Sequence, residues 1–546
     1  MEADPSGRLP TSRSSGRCRC PNNREQMGDR PSWRATFAFT PICAKNPRPA
    51  PRTTAKVASS RLSDDRLLSA PTTGSRLQKE TPHSDWSPDS WRKVPQAHAV
   101  HYDDPAALAS AEKQLRDLPP LVTSWEIERL RNFLAEAQEG KRFVLQGGDC
   151  AETLADCRSS TITSKLKILL QMSLVMVHGL KKPVVRIGRF AGQYAKPRSN
   201  PIETRDVAGS KVSLPSYFGD LFNSADFTPE ARRPDPHLMV RGYKHAALTL
   251  NFIRALVDGG FADLHHPEYW DLSFFHHASL SDQVRAEYRR MTENLADGLR
   301  FMEALGEKAV DDLTRVEFFT SHEGLSLEYE SAQTRTVPRR EGHYNLATHM
   351  PWIGERTRAL TGAHVEFFRG IRNPIGVKIG PKAPPADVVA LCNHLNPTDI
   401  PGRLSLICRM GAPNVATALP PIVKAVHEAG KRVLWMCDPM HGNQITTPSG
   451  IKTRSFDAIC AEIDQTCAVH AHLGTILGGV HFELTGEDVT ECIGGGSGVT
   501  EADLTTNYAS LCDPRLNYQQ ALEMAFLLSR RLSKRPDSQA ESKKTP

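Results

Sequence analysis

The chain has 546 residues, of which 39% are hydrophobic and 24% are charged, and these are ordinary proportions for a globular protein. No apolar stretch is long enough to cross a membrane, so we expect no membrane-spanning segment. The net charge of +6 comes from the N-terminal segment, because residues 1–80 hold 15 Lys and Arg against 7 Asp and Glu, while the other residues hold 53 against 55. A folded part without excess positive charge argues against a nucleic-acid-binding protein.

The 12 cysteines are scattered, without the repeated CxxC of a zinc site or the dense spacing of a disulfide scaffold. In a chain of this length the pattern predicts mostly reduced thiols inside a cell. The N-terminus lacks the apolar core of a secretory signal, so we expect the cytoplasm. A plastid is the alternative, because the Ser/Arg bias of the N-terminus also suits a transit peptide, although its acidic residues argue against one.

Both ends of the chain lack hydrophobic periodicity. Residues 1–85 are basic and rich in Ser, Pro and Arg, and residues 534–546 are polar, so both segments are predicted to be disordered tails. Residues 86–533 alternate between helical and apolar patterns and are predicted to form the folded domain. Its early helical pattern places Leu130, Phe133 and Leu134 on one face.

Short apolar runs recur along the folded part, as expected for strands that are buried on both faces of a parallel sheet. They begin near residues 143, 184, 316, 344, 375, 403, 433 and 479. Eight strands that alternate with helices predict an α/β fold, a (β/α)8 TIM barrel with an N-terminal extension. An open doubly wound sheet is the alternative, but the strand count and the lack of a GxGxxG loop favour the barrel.

Residues 200–315 interrupt this alternation between the second and third strands. They begin with a predicted long loop (residues 200–236) and continue with two helical patterns. We interpret them as a mainly helical insertion and as a candidate regulatory region.

Charged side chains cluster where the predicted strands end, which is where a (β/α) barrel carries its chemistry. One group is cationic and consists of Arg189, Lys196, Arg198, Arg356, Lys378, Arg409 and Lys452. Cations at one end of a barrel repel one another unless a polyanion binds there, so they predict a small substrate with several negative charges. Any one of them could be a solvated surface residue, but Lys378 and Arg409 interrupt buried strands, where an unpaired charge is costly.

A second group could bind a metal and consists of Cys150, His441, Glu483 and a later Asp. Thiolate, imidazole and carboxylate ligands together suit a divalent transition metal of intermediate softness. No local spacing such as HExxH supports the set, so the fold would have to assemble it. A small buried Cys150 and a hydrogen-bonded turn residue His441 are the alternatives.

The segments that contain these residues resemble the type II 3-deoxy-D-arabino-heptulosonate 7-phosphate (DAHP) synthases, the first enzymes of the shikimate pathway. The matching segments are LQGGDCAE (145–152), GRFAGQYAKPRS (188–199), TSHEGLSLEYE (320–330), WIGERTR (352–358), GVKIGP (376–381), GRLSLICRMG (402–411), DPMHGN (438–443), GIKTRSFDAI (450–459), GGVHFELTGEDVTECIGG (478–495) and CDPRLN (512–517). So many motifs in one order make the resemblance specific.

The resemblance assigns roles to individual residues. It implies that a divalent metal, usually Mn²⁺ with Co²⁺ as an alternative, is bound by Cys150, His441, Glu483 and Asp513. It implies a phosphoenolpyruvate pocket formed by Arg189, Glu355, Arg356, Lys378 and Arg409, with Trp352 and Glu323 beside it. Erythrose 4-phosphate would be held by Lys196, Arg198, Ser199 and Lys452. Surrounding cations would lower the pKa of Lys378, which makes it the candidate acid or base, with Glu323 or Glu355 positioning water.

The implied reaction is the metal-dependent condensation of phosphoenolpyruvate, erythrose 4-phosphate and water to DAHP and phosphate. One alternative is a related synthase that acts on another phosphorylated aldose. Another is a catalytically silent regulatory partner of a chorismate mutase, although a silent barrel need not keep four metal ligands and two buried cations. The resemblance also implies aromatic amino acid effectors and a homodimer or larger homo-oligomer.

Cys512 lies next to Asp513 and would bring a second thiol close to Cys150. A disulfide between them would remove a metal ligand, which is a hypothesis of redox control. Two independent reduced thiols are the alternative.

Overall fold

The computed structural model describes residues 85–198, 200–261, 282–304 and 316–533. Both predicted tails, except Asp85, and the candidate substrate residue Ser199 lie outside the described residues. The helices are α1 (Pro105–Asp117), α2 (Ser124–Gln138), α3 (Ser159–Leu180), α4 (Pro229–Arg232), α5 (His237–Asp258), α6 (Asp282–Ala304), α7 (Leu327–Ala332), α8 (Ala363–Gly370), α9 (Pro385–Leu395), α10 (Val415–Glu428), α11 (Phe456–His472) and α12 (Tyr518–Ser533). The strands are β1 (Phe143–Gly148), β2 (Val184–Arg189), β3 (Ile202–Val207), β4 (Ser210–Pro215), β5 (Phe318–Thr320), β6 (Thr334–Thr336), β7 (His343–Asn345), β8 (Trp352–Ile353), β9 (Ile375–Ile379), β10 (Leu404–Cys408), β11 (Leu434–Cys437), β12 (Gln444–Thr446), β13 (Lys452–Arg454) and β14 (Leu477–Glu483).

The central sheet has eight strands in the order β5-β2-β1-β14-β11-β10-β9-β8. Every neighbouring pair in it is parallel. A parallel bridge between Glu323, just after β5, and Trp352 joins the two edges of the sheet, and Trp352 donates its N–H to the carbonyl of His322 at 3.0 Å. The predicted α/β class is confirmed, and the curled parallel sheet is consistent with a (β/α)8 barrel.

Helix α2 covers the amino-terminal ends of the strands. A capping box, in which Thr123 and Glu126 satisfy each other's backbone N–H groups, starts the helix. Leu130 and Leu134 are buried against Val144 and other side chains at the starts of the strands. Because α2 packs at this end, the opposite end is left for the site.

The fourth barrel strand is misplaced by the sequence prediction. The run that begins near residue 344 forms β7, which pairs antiparallel with β6 in a separate two-stranded sheet. Asn345 in β7 is also held by side chains, because its N–H donates to Asn373 Oδ1 at 2.9 Å and its amide contacts Glu330. The strand at this position of the central sheet is β8, which follows β7 in the chain and pairs parallel with β9.

The predicted loop over residues 200–236 is also wrong in part, because it contains the antiparallel hairpin of β3 and β4. Ala208 and Gly209 connect these strands with φ values of 52° and 80°, the positive pair that a type I′ turn needs. The described part of the 200–315 region also contains α4, α5 and α6.

Among the described residues, no helix combines the length and the apolar composition that a membrane span requires.

Candidate active site

The carboxyl ends of the strands of the central sheet open into a cavity of about 460 Å³. Its lining includes most of the residues that the sequence predicted for the site: Arg189, Lys196, Arg198, Glu323, Trp352, Glu355, Arg356, Lys378, Arg409, His441, Lys452 and Asp513. Cys150 and Glu483 contact members of this lining directly. The fold therefore brings together every predicted site residue that it describes.

The four predicted metal ligands come from four separate segments of the chain. Cys150 follows β1 and Glu483 ends β14, and these two strands are neighbours in the sheet. The Cys150 thiol and one carboxylate oxygen each of Glu483 and Asp513 lie within 4.8 Å of one another. His441 adjoins this group, with Nε2 2.9 Å from Glu483 Oε1, and its Nδ1 lies 2.7 Å from Asp438 Oδ2. A carboxylate on the other ring nitrogen is typical of metal-binding histidines, because it fixes the ring.

Lys196 lies in the middle of these donors. Its Nζ is 2.7 Å from Cys150 Sγ, 2.8 Å from Asp513 Oδ2 and 3.4 Å from Glu483 Oε1. Burial opposes the charge on Lys196, but Asp513, Cys150 and Glu483 outweigh it and raise its pKa well above the ordinary value. Donors that converge on an ammonium group suit a cation, and their mixed chemistry fits a divalent transition metal.

Glu483 is fully buried and is the carboxylate on which Arg189, Lys196, His441 and Arg454 meet. Arg189 Nη2 is 3.0 Å from its Oε1, and Arg454 Nη2 is 2.7 Å from its Oε2. Burial alone would raise the pKa of Glu483, but His441, Lys196, Arg454 and Arg189 hold it well below the usual range. Glu483 is therefore an anion throughout the pH range in which the protein would work.

Lys378 is buried in β9 and contacts the carboxylate of Asp438. Burial lowers its pKa, Asp438 opposes the change and Arg189 reinforces it, so the pKa is about 8. A lysine that releases its proton near neutral pH can act as an acid or a base.

Trp352 forms an aromatic wall of the cavity. Arg189 Cζ lies 5.3 Å and Lys378 Nζ 5.9 Å from the centre of its ring. Beside it, Glu323 Oε1 is buried and has no hydrogen-bond partner among the described residues. Burial raises the pKa of this carboxyl group. Glu323 is thus able to carry a proton at the edge of the cavity.

The other lining residues are fixed by local contacts. Glu355 accepts hydrogen bonds from the Gly380 N–H at 2.7 Å and from Arg358 at 3.0 Å. Arg409 contacts the carbonyl oxygen of His441, which ties the exits of β10 and β11 together. On the opposite side, Arg198 Nη1 is 3.7 Å from Cys512 Sγ, and Lys452 Nζ is 3.5 Å from Asp513 Oδ1.

The sequence analysis missed three residues that organise this site. Asp438 bridges Lys378 and His441, and Arg454 pairs with Glu483. His481 Nε2 lies 2.6 Å from Arg189 Nη1. Each lies inside a matching segment that was quoted above, but only the direction of its strand shows what it contacts.

Cys150 and Cys512 belong to one small buried cluster with Tyr217, and both cysteines are free. Burial raises the pKa of Cys150, and the neighbouring Cys512 thiol raises it further. The Cys150 thiol in turn lowers the pKa of Cys512. The fold thus places the two cysteines of the redox hypothesis next to each other.

Comparison with known proteins supports one family for this arrangement. The family described as class-II DAHP synthetase matches residues 86–529. A phospho-2-dehydro-3-deoxyheptonate aldolase of Neurospora crassa is 47% identical over 86% of this chain and 99% of its own length. Proteins of that name from Streptomyces coelicolor and Mycolicibacterium smegmatis are 45% and 43% identical, over 81% and 79% of this chain and 96% and 91% of their own lengths.

Proposed function

The chain belongs to the class-II DAHP synthetase family, and from this premise we propose that it condenses phosphoenolpyruvate with erythrose 4-phosphate and water to DAHP and phosphate. It is an enzyme, a transferase that forms a carbon–carbon bond, and its reaction belongs to the shikimate pathway of aromatic biosynthesis. The main support for the proposal is that the cationic group and the predicted metal ligands lie around one cavity.

In the proposed reaction, C3 of phosphoenolpyruvate attacks the aldehyde carbon, water adds at C2, and phosphate leaves C2. Arg189, Arg356, Lys378 and Arg409 bind the carboxylate and phosphate of phosphoenolpyruvate, because guanidinium and ammonium groups pair with both. Trp352 covers one side of this pocket. Glu323 or Glu355 holds the attacking water, and Lys378 moves a proton.

The metal dependence is also part of the proposal. Cys150, His441, Glu483 and Asp513 would hold the ion, and the ammonium group among their donors supports a site that takes a cation. Bound Mn²⁺, or Co²⁺ in its place, would supply a Lewis acid beside the substrate pocket. Asp438 keeps the His441 ring oriented for this task.

The identity of the acceptor is tested by mass spectrometry of the product. The full-length protein is incubated with phosphoenolpyruvate, Mn²⁺ and one of three aldoses: erythrose 4-phosphate, ribose 5-phosphate or arabinose 5-phosphate. We expect a seven-carbon product and rapid turnover with the four-carbon sugar alone. Faster turnover with a five-carbon sugar would favour the related synthase that was considered as the alternative.

Replacing Arg198 by Met tests the binding of the sugar phosphate. A charge-assisted hydrogen bond contributes about 1.5–3 kcal/mol, so we expect the KM for erythrose 4-phosphate to rise about 10- to 100-fold. The KM for phosphoenolpyruvate stays unchanged in steady-state assays. Arg205→Met, in the exposed β3 strand, is the matched control and leaves both constants unchanged. A selective rise in the KM for phosphoenolpyruvate would reverse the assignment.

Oxidation tests the contact between Cys150 and Cys512. Diamide accepts two electrons and two protons as the two thiols form a disulfide, so we expect it to abolish activity and dithiothreitol to restore it. The disulfide is identified by peptide mass spectrometry. Cys512→Ser remains active in diamide, whereas Cys157→Ser, at a thiol outside the cavity, is inactivated like the wild type. Equal inactivation of Cys512→Ser would refute redox control through this pair.

A closed (β/α)8 barrel is inferred from the eight alternating strands and the bridge between the two edges of the sheet. The inferences that rest on the resemblance to the family are a regulatory role for residues 200–315 with aromatic amino acid effectors, a homodimer or larger homo-oligomer, and a chorismate mutase as partner. Analytical ultracentrifugation with and without tryptophan or phenylalanine tests the assembly and the effectors. Cytoplasmic rather than plastid location also stays a prediction.

A further inference from the structure

A buried ion network lies beside the metal donors, and no step of the proposed reaction uses it. It consists of Asp149, Lys165, Glu491 and Arg515, and we name it the ligand-loop network. Arg515 Nη1 is 2.7 Å from Asp149 Oδ1, and its Nη2 is 2.8 Å from Glu491 Oε1. Lys165, in the second turn of α3, contacts the other carboxylate oxygen of Asp149. Two cations therefore hold Asp149 from opposite sides.

The network joins the loops that carry two of the donors. Asp149 directly precedes Cys150, and Arg515 lies two residues after Asp513. The bond between Asp149 and Arg515 consequently connects two loops that are far apart in sequence, close to one donor in each. The backbone N–H of Asp513 donates to Cys150 Sγ at 3.3 Å across the same junction.

Glu491 organises the loop around Asp513. Its carboxylate accepts hydrogen bonds from Arg515 Nε at 3.1 Å and from the Arg515 backbone N–H at 2.7 Å. It also accepts bonds from the backbone N–H groups of Ser510 at 2.8 Å and Ala509 at 3.2 Å. The segment 509–515 is thus wrapped around one buried carboxylate, which fixes the backbone at Asp513.

We propose that the ligand-loop network positions Cys150 and Asp513 for metal binding. The inference rests on the proposed function, because it assumes that these two residues are ligands. Buried ion pairs commonly stabilise a fold no better than apolar side chains of the same size, so stability alone is a weak reason to keep four charges here. Metal ligands must be held to within about 0.5 Å, and a rigid link between their loops meets that need.

Calorimetric titration of Mn²⁺ alone into the EDTA-treated full-length protein tests the proposal. Arg515→Lys keeps the positive charge but loses the planar guanidinium group whose two Nη atoms contact Asp149 and Glu491 at the same time. Lys165→Met removes a positive charge near the site, so charge alone would tighten Mn²⁺ binding, whereas loss of positioning weakens it. We expect the Kd for Mn²⁺ to rise about 10- to 100-fold in both variants, as for other residues that orient metal ligands.

Controls separate this proposal from the metal site itself. Glu112→Gln removes a buried carboxylate of α1 that pairs with the more exposed Arg92 and Arg116, far along the chain from the metal donors, and leaves the Kd unchanged. Circular dichroism establishes that each variant is folded, and Lys165→Met decides the question if Arg515→Lys does not fold. Wild-type or tighter Mn²⁺ binding by the folded network variants, or equal weakening in Glu112→Gln, overturns the positioning role. Failure of the wild type to bind Mn²⁺, or unchanged binding by Asp513→Asn, instead overturns the proposed metal site.

Discussion

Replacing Glu483 by Gln abolishes Mn²⁺ binding and lowers kcat by more than about 100-fold. Loss of a residue that only orients a metal ligand lowers activity by at most about 100-fold, so a larger loss is expected for a ligand itself. The substitution keeps the size of the side chain but removes the anion on which Arg189, Lys196, Arg454 and His441 converge. The cations then lack a partner in a buried site, so the free energy of unfolding also falls by about 3–5 kcal/mol. Calorimetry with Mn²⁺ and urea denaturation measure the two effects separately.

Glu487→Gln is the matched control for this experiment. Glu487 follows Glu483 along the same segment, but its side chain is exposed. We expect the control to keep wild-type activity, stability and Mn²⁺ affinity. An active Glu483→Gln variant that binds Mn²⁺ normally would show that Glu483 is not a metal ligand.

Replacing Lys378 by Met lowers kcat about 10²- to 10⁴-fold, the usual contribution of a positioned acid or base. In the wild type we expect the rate to change with an apparent pKa near 8, because burial lowers the pKa of Lys378 to about 8. In the Lys378→Arg variant, the arginine keeps the positive charge but does not release its proton. The rate change near pH 8 is therefore absent from the pH–rate profile of this variant. Lys382→Met, at an exposed lysine just beyond the same strand, leaves the profile unchanged.

The same ionisation has a defined effect on stability. The pKa of Lys378 is lower in the folded protein, about 8, than the ordinary lysine value of 10.5. The unfolded chain therefore binds more protons between these two values, and the contribution of Lys378 to stability rises with pH across that window.

An unchanged rate in Lys378→Met, or a pH–rate step near 8 that persists in Lys378→Arg, would show that Lys378 does not transfer the proton.

Lys378 and Arg409 show how much of this site the sequence could predict. Both were predicted to interrupt buried strands, where a charge is costly unless it has a function. Lys378 is buried inside β9, as predicted, but Arg409 lies just after β10 and is half-buried. The common direction of the strands then places both at the same edge of the central sheet. Periodicity and strand ends were therefore sufficient to predict the cationic group.

The contacts between distant segments could not be predicted in the same way. Arg454 pairs with Glu483, and Arg515 pairs with Asp149, but no local pattern connects either pair. The fourth barrel strand was misplaced because β8 is only Trp352–Ile353 and the longer run before it pairs elsewhere. The β3–β4 hairpin was missed because its turn signal is an Ala-Gly pair rather than Asn-Gly.

Phosphate release from phosphoenolpyruvate tests the central claim most directly. The full-length protein is assayed with and without erythrose 4-phosphate, after treatment with EDTA and again after Mn²⁺ is restored. We predict that phosphate is released only when the aldehyde and the metal are both present. No release by folded protein with Mn²⁺ or Co²⁺, or release without the aldehyde, would contradict the proposed condensation.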